Sequence, residues 1–237
     1  MKSPDPAGAP VALVSGANRG TGLAIARELH RRGYRVAGLN RTLLGEGWLD
    51  EFRCDLADPA AVDRAVQQVL TRFGRLDVCV TNAVDRTFAP LAEMDPADWD
   101  RAVAVNLTSV FRIVRASLRA IRSARGSYVI MGSHAGTRFF EGGASYSATK
   151  GALKALVETL LLEERPHGVR ATLVSPGAIA NEDGDTSPYK MATESVARCV
   201  GALVQDQPPD LVVGDVEIRP AQLPVPETSG IARLQHV

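Results

Sequence analysis

Short apolar runs alternate with amphipathic helical patterns along most of this chain, and that alternation limits the folds it can adopt. The predicted strands are Val11–Ser15, Arg35–Leu39, Phe52–Cys54, Leu76–Thr81, Ser127–Gly132, Arg170–Val174 and Leu211–Ile218. The predicted helices are Thr21–Arg32, Pro59–Phe73, Ala97–Ala124 with a break near Asn106, Ala144–Glu164 and Glu194–Gln205. Strands that are apolar throughout are typical of a parallel sheet covered on both faces. The sequence therefore predicts a doubly wound α/β fold with helices on both faces of a parallel sheet.

The composition fits one globular domain. Of 237 residues, 45% are hydrophobic and 23% are charged, and the net charge is zero, which gives no electrostatic reason to expect nucleic acid or a membrane surface as partner. The three cysteines lie far apart in no metal-binding spacing, so we expect no metal, no disulfide and a cytoplasmic location. We predict a catalytic domain over residues 11–220, with a flexible leader at 1–10 and a C-terminal tail at 221–237.

A glycine-rich turn joins the first predicted strand to the first predicted helix. Its residues are Ser15, Gly16, Ala17, Asn18, Arg19, Gly20, Thr21 and Gly22. Glycine lets the backbone turn tightly and approach a pyrophosphate, whose negative charge then faces the N-terminus of the following helix. At the first strand–helix junction of this pattern, the turn indicates a nucleotide site.

The end of the second predicted strand carries no acidic residue. A site for NAD usually has an acid there, which hydrogen-bonds the adenosine ribose. This chain has Asn40 and Arg41 instead, and Arg19 lies in the glycine turn nearby. Two arginines suit a 2′-phosphate, so the sequence favours NADP(H) over NAD.

Further motifs follow in a characteristic order. They are Cys54-Asp55-Leu56, Thr81-Asn82-Ala83-Val84, Ser175-Pro176-Gly177, and the separate residues Asn106, Ser133, Tyr146 and Lys150. With the glycine turn, this set resembles the short-chain dehydrogenase/reductase family over nearly the whole chain, in its single-domain form. The resemblance implies a Rossmann-type fold and an NADP-dependent oxidoreductase acting on CH–OH or C=O groups. It also implies a homo-oligomer, either a tetramer or a dimer, and a small carbonyl or alcohol substrate.

Tyr146 and Lys150 lie four residues apart on a predicted helix and therefore share a face. A free tyrosine is a weak acid, and a neighbouring positive charge favours its tyrosinate form, so Tyr146 can serve as general acid or base. The resemblance implies that Lys150 also holds the nicotinamide ribose and that Ser133 binds the substrate carbonyl. It implies in addition that Asn106 holds a water linking Lys150 to solvent.

The resemblance assigns a cofactor site and a substrate pocket. The residues expected to bind NADP(H) are Gly16, Asn18, Arg19, Gly20, Thr21, Gly22, Asn40, Arg41, Asp55, Leu56, Asn82, Ala83, Tyr146, Lys150, Pro176, Gly177 and Ile179. The residues expected to line the substrate pocket are Ser133, His134, Phe139, Phe140, Gly143, Ala178 and Tyr189. Phe139 and Phe140 indicate an apolar component to the substrate; the alternative is that one or both support the helix behind Tyr146.

The sequence departs from the family pattern in two regions. Thr81 and Val84 replace an asparagine and a glycine of the segment after the fourth strand, and Asn181 stands where the family has a threonine that bonds the carboxamide. The segment Ala178–Thr193 is short and is predicted to be a loop that is mobile until ligand binds. The substrate pocket should therefore be more open than usual.

The leading hypothesis is an NADPH-dependent reduction of a ketone, or oxidation of the matching secondary alcohol, on a small or medium-sized metabolite. An alternative is a 3-oxoacyl-(acyl-carrier-protein) reductase. Its carrier could dock on Arg119, Arg122, Arg125 and Arg138, although the short loop argues against it. A third hypothesis is a catalytically silent NADP-binding regulatory or scaffold protein, which the intact set of Ser133, Tyr146 and Lys150 argues against.

Overall fold

The computed structural model describes residues 8–182 and 184–222. Its strands are β1 (Val11–Ser15), β2 (Arg35–Asn40), β3 (Leu49–Arg53), β4 (Val78–Thr81), β5 (Ser127–Met131), β6 (Arg170–Pro176), β7 (Ile179–Ala180), β8 (Met191–Ala192) and β9 (Asp215–Ile218). Seven of them form one parallel sheet in the order β3-β2-β1-β4-β5-β6-β9. The predicted α/β fold is thereby confirmed. Residues 1–7 of the predicted leader and 223–237 of the predicted tail lie outside the described residues.

Within the described residues, six α-helices accompany the strands. They are α1 (Gly20–Arg31), α2 (Pro59–Phe73), α3 (Pro96–Val103), α4 (Ser109–Ala124), α5 (Ala144–Glu164) and α6 (Thr193–Gln205). Both α2 and α3 begin with an aspartate cap followed by proline: Asp58 accepts from the Ala60 amide and Asp95 from the Ala97 amide. The stretch predicted as one broken helix is α3 and α4, joined by a π-helical turn at Ala104–Thr108 that contains Asn106.

Helices cover both faces of the sheet. Successive residues of β1 point to opposite faces, so that Leu13 joins the core beneath α2, α4 and α5, while Val14 joins the core beneath α1 and α6. All five residues of β1 are buried. This two-sided burial explains why the central strands read as continuous apolar runs.

The two edge strands differ from their predicted positions. β3 begins at Leu49 rather than Phe52, and β9 is limited to Asp215–Ile218. Both strands carry acidic residues that an outer strand can leave partly exposed, so the apolar pattern misplaced them. The predicted loop Ala178–Thr193 also contains the two-residue parallel pair of β7 with β8, which the sequence analysis missed.

The chain reverses its direction of winding at β1. It passes from β1 to β2 and β3 on one side, then returns to place β4 on the other side of β1. The connections leaving the carboxyl ends of β1 and β4 diverge, and a crevice opens between them, which is where ligands bind in open α/β sheets.

Candidate active site

A cavity of about 860 Å³ opens over the carboxyl ends of the central strands. Apart from Asn40, every residue predicted to bind the cofactor lines this cavity, and Ser133 lines it as well. The additional lining residues include Val84, Asp85, Arg86, Arg101, Asn181 and Glu182. Its size is within the range of ligand sites, about 300–1,000 Å³.

The backbone of the glycine turn requires glycine at positions 16, 20 and 22. Gly16 and Gly20 have positive φ angles of 69° and 51°. A Cβ atom on Gly22 would lie 1.9 Å from the Gly16 carbonyl oxygen and 2.5 Å from Asn82 Nδ2. Glycine at position 22 therefore lets α1 begin directly against the end of β1 and leaves the concave backbone that a pyrophosphate requires.

The first turn of α1 takes a capping oxygen from a distant segment. Its N-cap, Arg19, makes no capping hydrogen bond with its side chain, and the turn contains no acid. Instead Asn181 Oδ1 accepts from the Thr21 amide at 3.0 Å and from Thr21 Oγ1 at 2.7 Å. The segment after β6 is thus tied directly to the N-terminus of α1, where anions bind.

Asn40 lies behind the cavity rather than on its wall. Its side chain is 1% exposed, accepts from the Ala17 amide at 2.7 Å and donates to Glu51 Oε1 at 2.7 Å. Glu51 also accepts from the Leu44 and Gly45 amides, and although burial opposes its ionisation, these hydrogen bonds hold its pKa below the ordinary value. Asn40 therefore supports the loop that carries Arg41.

The two arginines expected at a 2′-phosphate both line the cavity. Arg19 and Arg41 are exposed, and neither forms an ion pair with any residue in 8–182 or 184–222. Asn18, next to Arg19, donates through Nδ2 to the Thr42 carbonyl oxygen at 2.8 Å, which joins the glycine turn to the Arg41 loop. Two guanidinium groups on one rim suit a dianionic phosphate.

Tyr146, Lys150 and Ser133 all line the cavity. Lys150 Nζ lies 5.8 Å from the centre of the Tyr146 ring and donates to the Met131 carbonyl oxygen at 2.6 Å. Burial, with the charge of Arg86 as a smaller cause, lowers the pKa of Lys150 to about 7. Ser133 follows β5, and its Oγ accepts from the Ala135 amide at 3.2 Å. An amine that exchanges its proton near neutral pH lies beside the phenol.

Asn106 does not line the cavity but holds its wall together. Its Oδ1 accepts from the Asp85 amide at 2.7 Å, and its Nδ2 donates to the Asp85 carbonyl oxygen at 3.0 Å and to Thr149 Oγ1 at 3.2 Å. Both amide protons are therefore used on protein partners. The π-helical turn places Asn106 so that it joins the segment after β4 to α5, one residue before Lys150.

Sequence reasoning named Ser15 only as part of the glycine turn and did not single out Asp85, although both residues shape the site. Ser15 is buried, and its Oγ accepts from the Asn82 and Ala83 amides at 3.0 and 3.2 Å, which closes β1 against β4. Asp85 accepts from Arg101 Nε at 2.9 Å. The available signal was a polar residue at the end of β1 and another in the segment after β4, since side chains at the carboxyl ends of parallel strands meet at one edge of the sheet.

Six residues predicted for the substrate pocket are not among those that line this cavity. They are His134, Phe139, Phe140, Gly143, Ala178 and Tyr189. The His134 ring faces Gly177, with Nε2 at 3.1 Å from Glu217 Oε1, and burial lowers its pKa. Phe88, which the sequence analysis did not single out, stands between Phe140 and Tyr146 at ring distances of 5.5 and 5.6 Å.

Other kinds of chemistry find little support in the described parts of the chain. Within residues 8–182 and 184–222, no three His, Cys, Asp or Glu side chains gather as a metal site would require. Burial raises the pKa of Cys54 to about 11 and that of Cys79 to about 12, so neither thiol is a nucleophile at neutral pH. The helices in this part of the chain are too short or too polar to span a bilayer.

Comparison with known proteins agrees with this geometry. A family model described as short chain dehydrogenase matches residues 10–188. The chain is 32% identical over 181 residues to the 3-oxoacyl-(acyl-carrier-protein) reductase of Escherichia coli, covering 73% of this chain and 74% of that protein. The solved alcohol dehydrogenase of the archaeon Thermococcus sibiricus, complexed with 5-hydroxy-NADP, aligns with a TM-score of 0.83 and 29% identity over 91% of this chain and 99% of that one.

A second solved structure is a metagenomic short-chain oxidoreductase in complex with NADP. It aligns with a TM-score of 0.79 and 33% identity, over 90% of this chain and 98% of that one. The match of the family model covers most of the chain, and the relatives share both fold and sequence with it. The chain therefore belongs to the short-chain dehydrogenase/reductase family of oxidoreductases.

Proposed function

We propose that this protein reduces a ketone with NADPH, or oxidises the matching secondary alcohol with NADP, on a small or medium-sized metabolite. The observation that carries the proposal is that Tyr146, Lys150 and Ser133 line the same cavity as the glycine turn. A proton donor, a buried amine and a hydroxyl beside a nucleotide-shaped groove are the parts that carbonyl reduction needs.

The cofactor assignment is supported by charge and shape. Gly16, Gly20 and Gly22 line the cavity at the N-terminus of α1, and Arg19 and Arg41 stand at the rim with no acidic partner among the described residues. The solved relatives include proteins in complex with NADP and 5-hydroxy-NADP. When bound here, the nicotinamide would supply or accept the hydride. Asp55, Leu56, Asn82, Ala83, Pro176, Gly177 and Ile179 would hold the remainder of the molecule.

The chain's own residues account for the proton chemistry. In reduction, the Tyr146 hydroxyl donates its proton to the carbonyl oxygen, and the Ser133 hydroxyl donates a hydrogen bond to the same oxygen as negative charge develops there. Lys150, protonated, stabilises the tyrosinate that remains and can pass on a proton near neutral pH. Asn106 ties α5 to the segment after β4 through its side-chain hydrogen bonds, and a water path anchored at Asn106 stays a prediction from the family resemblance.

A second candidate is reduction of 3-oxoacyl groups on an acyl carrier protein, which the Escherichia coli relative favours. The proposed docking arginines support it less well, since Arg122 is bound to Glu164 at 2.6 Å and Arg138 lies 3.4 Å from Glu217. A catalytically silent NADP-binding protein is the remaining alternative. Assembly as a dimer or tetramer and a cytoplasmic location stay predictions.

One assay separates these functions. NADPH oxidation is measured against a panel of simple ketones and a 3-oxoacyl thioester, with wild type and Tyr146→Phe compared on each. We expect turnover of ketones and a loss of about 10²–10⁴-fold in Tyr146→Phe. Equal activity in that variant would refute the mechanism, and NADPH binding without any turnover would support the silent binding protein.

The cofactor preference has its own test. Arg41→Ala should raise the KM for NADPH by about tenfold or more and leave the KM for NADH nearly unchanged, since only NADPH carries the 2′-phosphate. Leu43→Ala, an exposed neighbour on the same loop, is the matched control. An equal loss for both cofactors would show that Arg41 does not contact the phosphate.

A further inference from the structure

Two exposed phenylalanines lie beside the wall that carries Tyr146. Phe88 and Phe140 are 52% and 48% exposed, and we call them the aromatic shelf. The Phe88 ring stands nearly perpendicular to the Tyr146 ring, at 81° and 5.6 Å between centres. The Phe140 ring in turn stands at 71° to that of Phe88, at 5.5 Å. The aromatic shelf is therefore continuous with the proposed proton donor.

The backbone beneath the aromatic shelf is held in place from several directions. The Ala89 amide donates to the Gly142 carbonyl oxygen at 3.0 Å, which joins the two segments that carry the phenylalanines. Ser145 Oγ donates to the Thr87 carbonyl oxygen at 3.2 Å, which ties the same segment to α5. These bonds flank Phe88 on both sides. These hydrogen bonds fix the backbone that carries the aromatic shelf.

Glycine at position 143 lets the Phe140 ring lie flat on the chain. A Cβ atom there would come within 2.6 Å of Phe140 Cζ. The ring occupies the space that any other residue would fill, and the entrance of α5 lies directly beneath it. The ring is therefore seated beside Phe88 by the local sequence and not by a chance rotamer.

Exposed aromatic side chains next to the proposed proton donor indicate a ligand-binding surface. Contiguous apolar patches on soluble proteins mark binding sites, because leaving them in water is unfavourable. Contact with Tyr146 indicates the occupant: because the Phe88 ring lies against the Tyr146 ring, a substituent of a carbonyl that binds at the Tyr146 hydroxyl is within reach of Phe88. The perpendicular series of rings suits a further ring, since aromatic groups prefer edge-to-face and offset contacts.

We propose that Phe88 determines substrate specificity, and that the substrate is a ketone or secondary alcohol with an aryl group on the reacting carbon. This inference rests on the proposed function. The aryl group covers Phe88 and the edge of Phe140, and the smaller substituent points toward Ser133. A purely aliphatic ketone of similar reactivity would leave the shelf exposed and would bind less well.

The test compares an aryl methyl ketone, acetophenone, with an aliphatic one, 2-butanone, at saturating NADPH. In wild type, kcat/KM for acetophenone should exceed that for 2-butanone. In Phe88→Ala, kcat/KM for acetophenone should fall by about tenfold or more, chiefly through KM, while that for 2-butanone changes by less than about twofold. Phe88→Leu, which keeps apolar volume, should fall between the two and replaces Phe88→Ala if that variant does not fold.

Phe111→Ala supplies the matched control, because Phe111 is 50% exposed on α4 and lies outside the cavity wall. Both ketones should keep their wild-type values in it. A parallel loss for both ketones in Phe88→Ala would overturn the proposal, since it would show that Phe88 only positions Tyr146. A fall in the mass of the assembled protein in Phe88→Ala would also overturn it, because the occupant would then be a second copy of the chain.

A direct binding measurement distinguishes failure of the proposed function from failure of the aryl-site inference. If wild type turns over no ketone, acetophenone binding is measured directly by ligand-observed NMR with wild type and Phe88→Ala. Binding that is lost in the variant would uphold the aromatic shelf as an aryl site while removing the ketone chemistry. Equal binding, or none, would overturn the inference as well.

Discussion

Replacing Lys150 with methionine is expected to abolish turnover and to make the folded protein more stable near neutral pH. Lys150 is 5% exposed, and its Nζ makes one hydrogen bond within the described residues, to the Met131 carbonyl oxygen. Burial, with a smaller contribution from Arg86, lowers its pKa from 10.5 to about 7. Holding a positive charge at this position therefore opposes folding, and methionine fills similar space without the charge.

The size of the effect follows from the pKa. Because a tenfold change in proton affinity corresponds to about 1.4 kcal/mol, the charged amine lowers the free energy of unfolding by about 5 kcal/mol below pH 7. Removing it leaves the Met131 carbonyl without a partner, which costs about 1–3 kcal/mol. A net gain of about 2–4 kcal/mol remains, equivalent to a rise in Tm of about 5–15 °C for a chain of this size.

The sign of the pH dependence is part of the prediction. Between about pH 7 and pH 10.5, Lys150 is neutral in the folded state and takes up a proton on unfolding, so wild-type stability rises with pH over this range. The advantage of Lys150→Met should therefore be largest below pH 7 and vanish, or reverse, as the pH approaches 10.5. Above that value only the lost hydrogen bond distinguishes the two proteins.

Thermal and urea unfolding without cofactor, from about pH 6 to about pH 10, measures this difference. Tyr146→Phe is the matched control, because it disables the neighbouring group without removing the buried charge. A Lys150→Met protein that is less stable than wild type at pH 6.5, or whose difference does not change with pH, would refute the reasoning.

Three further changes probe the frame of the site. Gly22→Ala should lower Tm and abolish NADPH binding measured by fluorescence titration, because its Cβ would meet the Gly16 carbonyl oxygen. Retained binding would contradict the proposed role of the glycine turn in holding NADPH. Asn181→Ala removes the capping oxygen from Thr21 and should cost about 1 kcal/mol in urea unfolding. An unchanged midpoint would mean that the cap is not needed. Glu164→Gln should lower Tm, since hydrogen bonds from Arg122 hold the pKa of this buried carboxyl below 4.5. That loss should shrink only as the pH falls below about 4.5, where wild type loses its charge too, and a loss that is constant with pH would argue against the pair.

The central part of the fold was predictable because burial alone determines which residues its strands can contain. β1 and β4 are covered on both faces, so their sequences admit almost nothing but apolar residues. The edge strands carry the charged residues Asp50, Glu51 and Glu217, which can remain partly in contact with solvent. A search for apolar runs therefore does not find the bounds of these strands. The position of the helix break near Asn106 could be anticipated, but its π-helical form depends on contacts with Asp85 and Thr149 that lie elsewhere in the sequence.

The candidate site likewise contains some residues that local sequence predicts and others that only long-range contacts place. Tyr146 and Lys150 share a helix, so their spacing alone places them on one face, and the glycine turn is local as well. Phe88 lies in an irregular segment with no periodicity, and its place beside Tyr146 arises from a hydrogen bond between distant backbones. Asn181 reaches Thr21 across 160 residues of chain. Contacts of that kind follow from the assembled sheet and leave no pattern in the sequence.

The tie between Asn40 and Glu51 has a consequence for changing the cofactor. The simplest route to NAD would place an acid at the end of β2, and at position 40 that acid would bring a second carboxylate to within 2.7 Å of Glu51 in a buried setting. One of the two would have to take up a proton or the Arg41 loop would come apart. Position 40 is consequently a poor place for the acid of an NAD site: an exchange there would need a second change that removes the charge of Glu51.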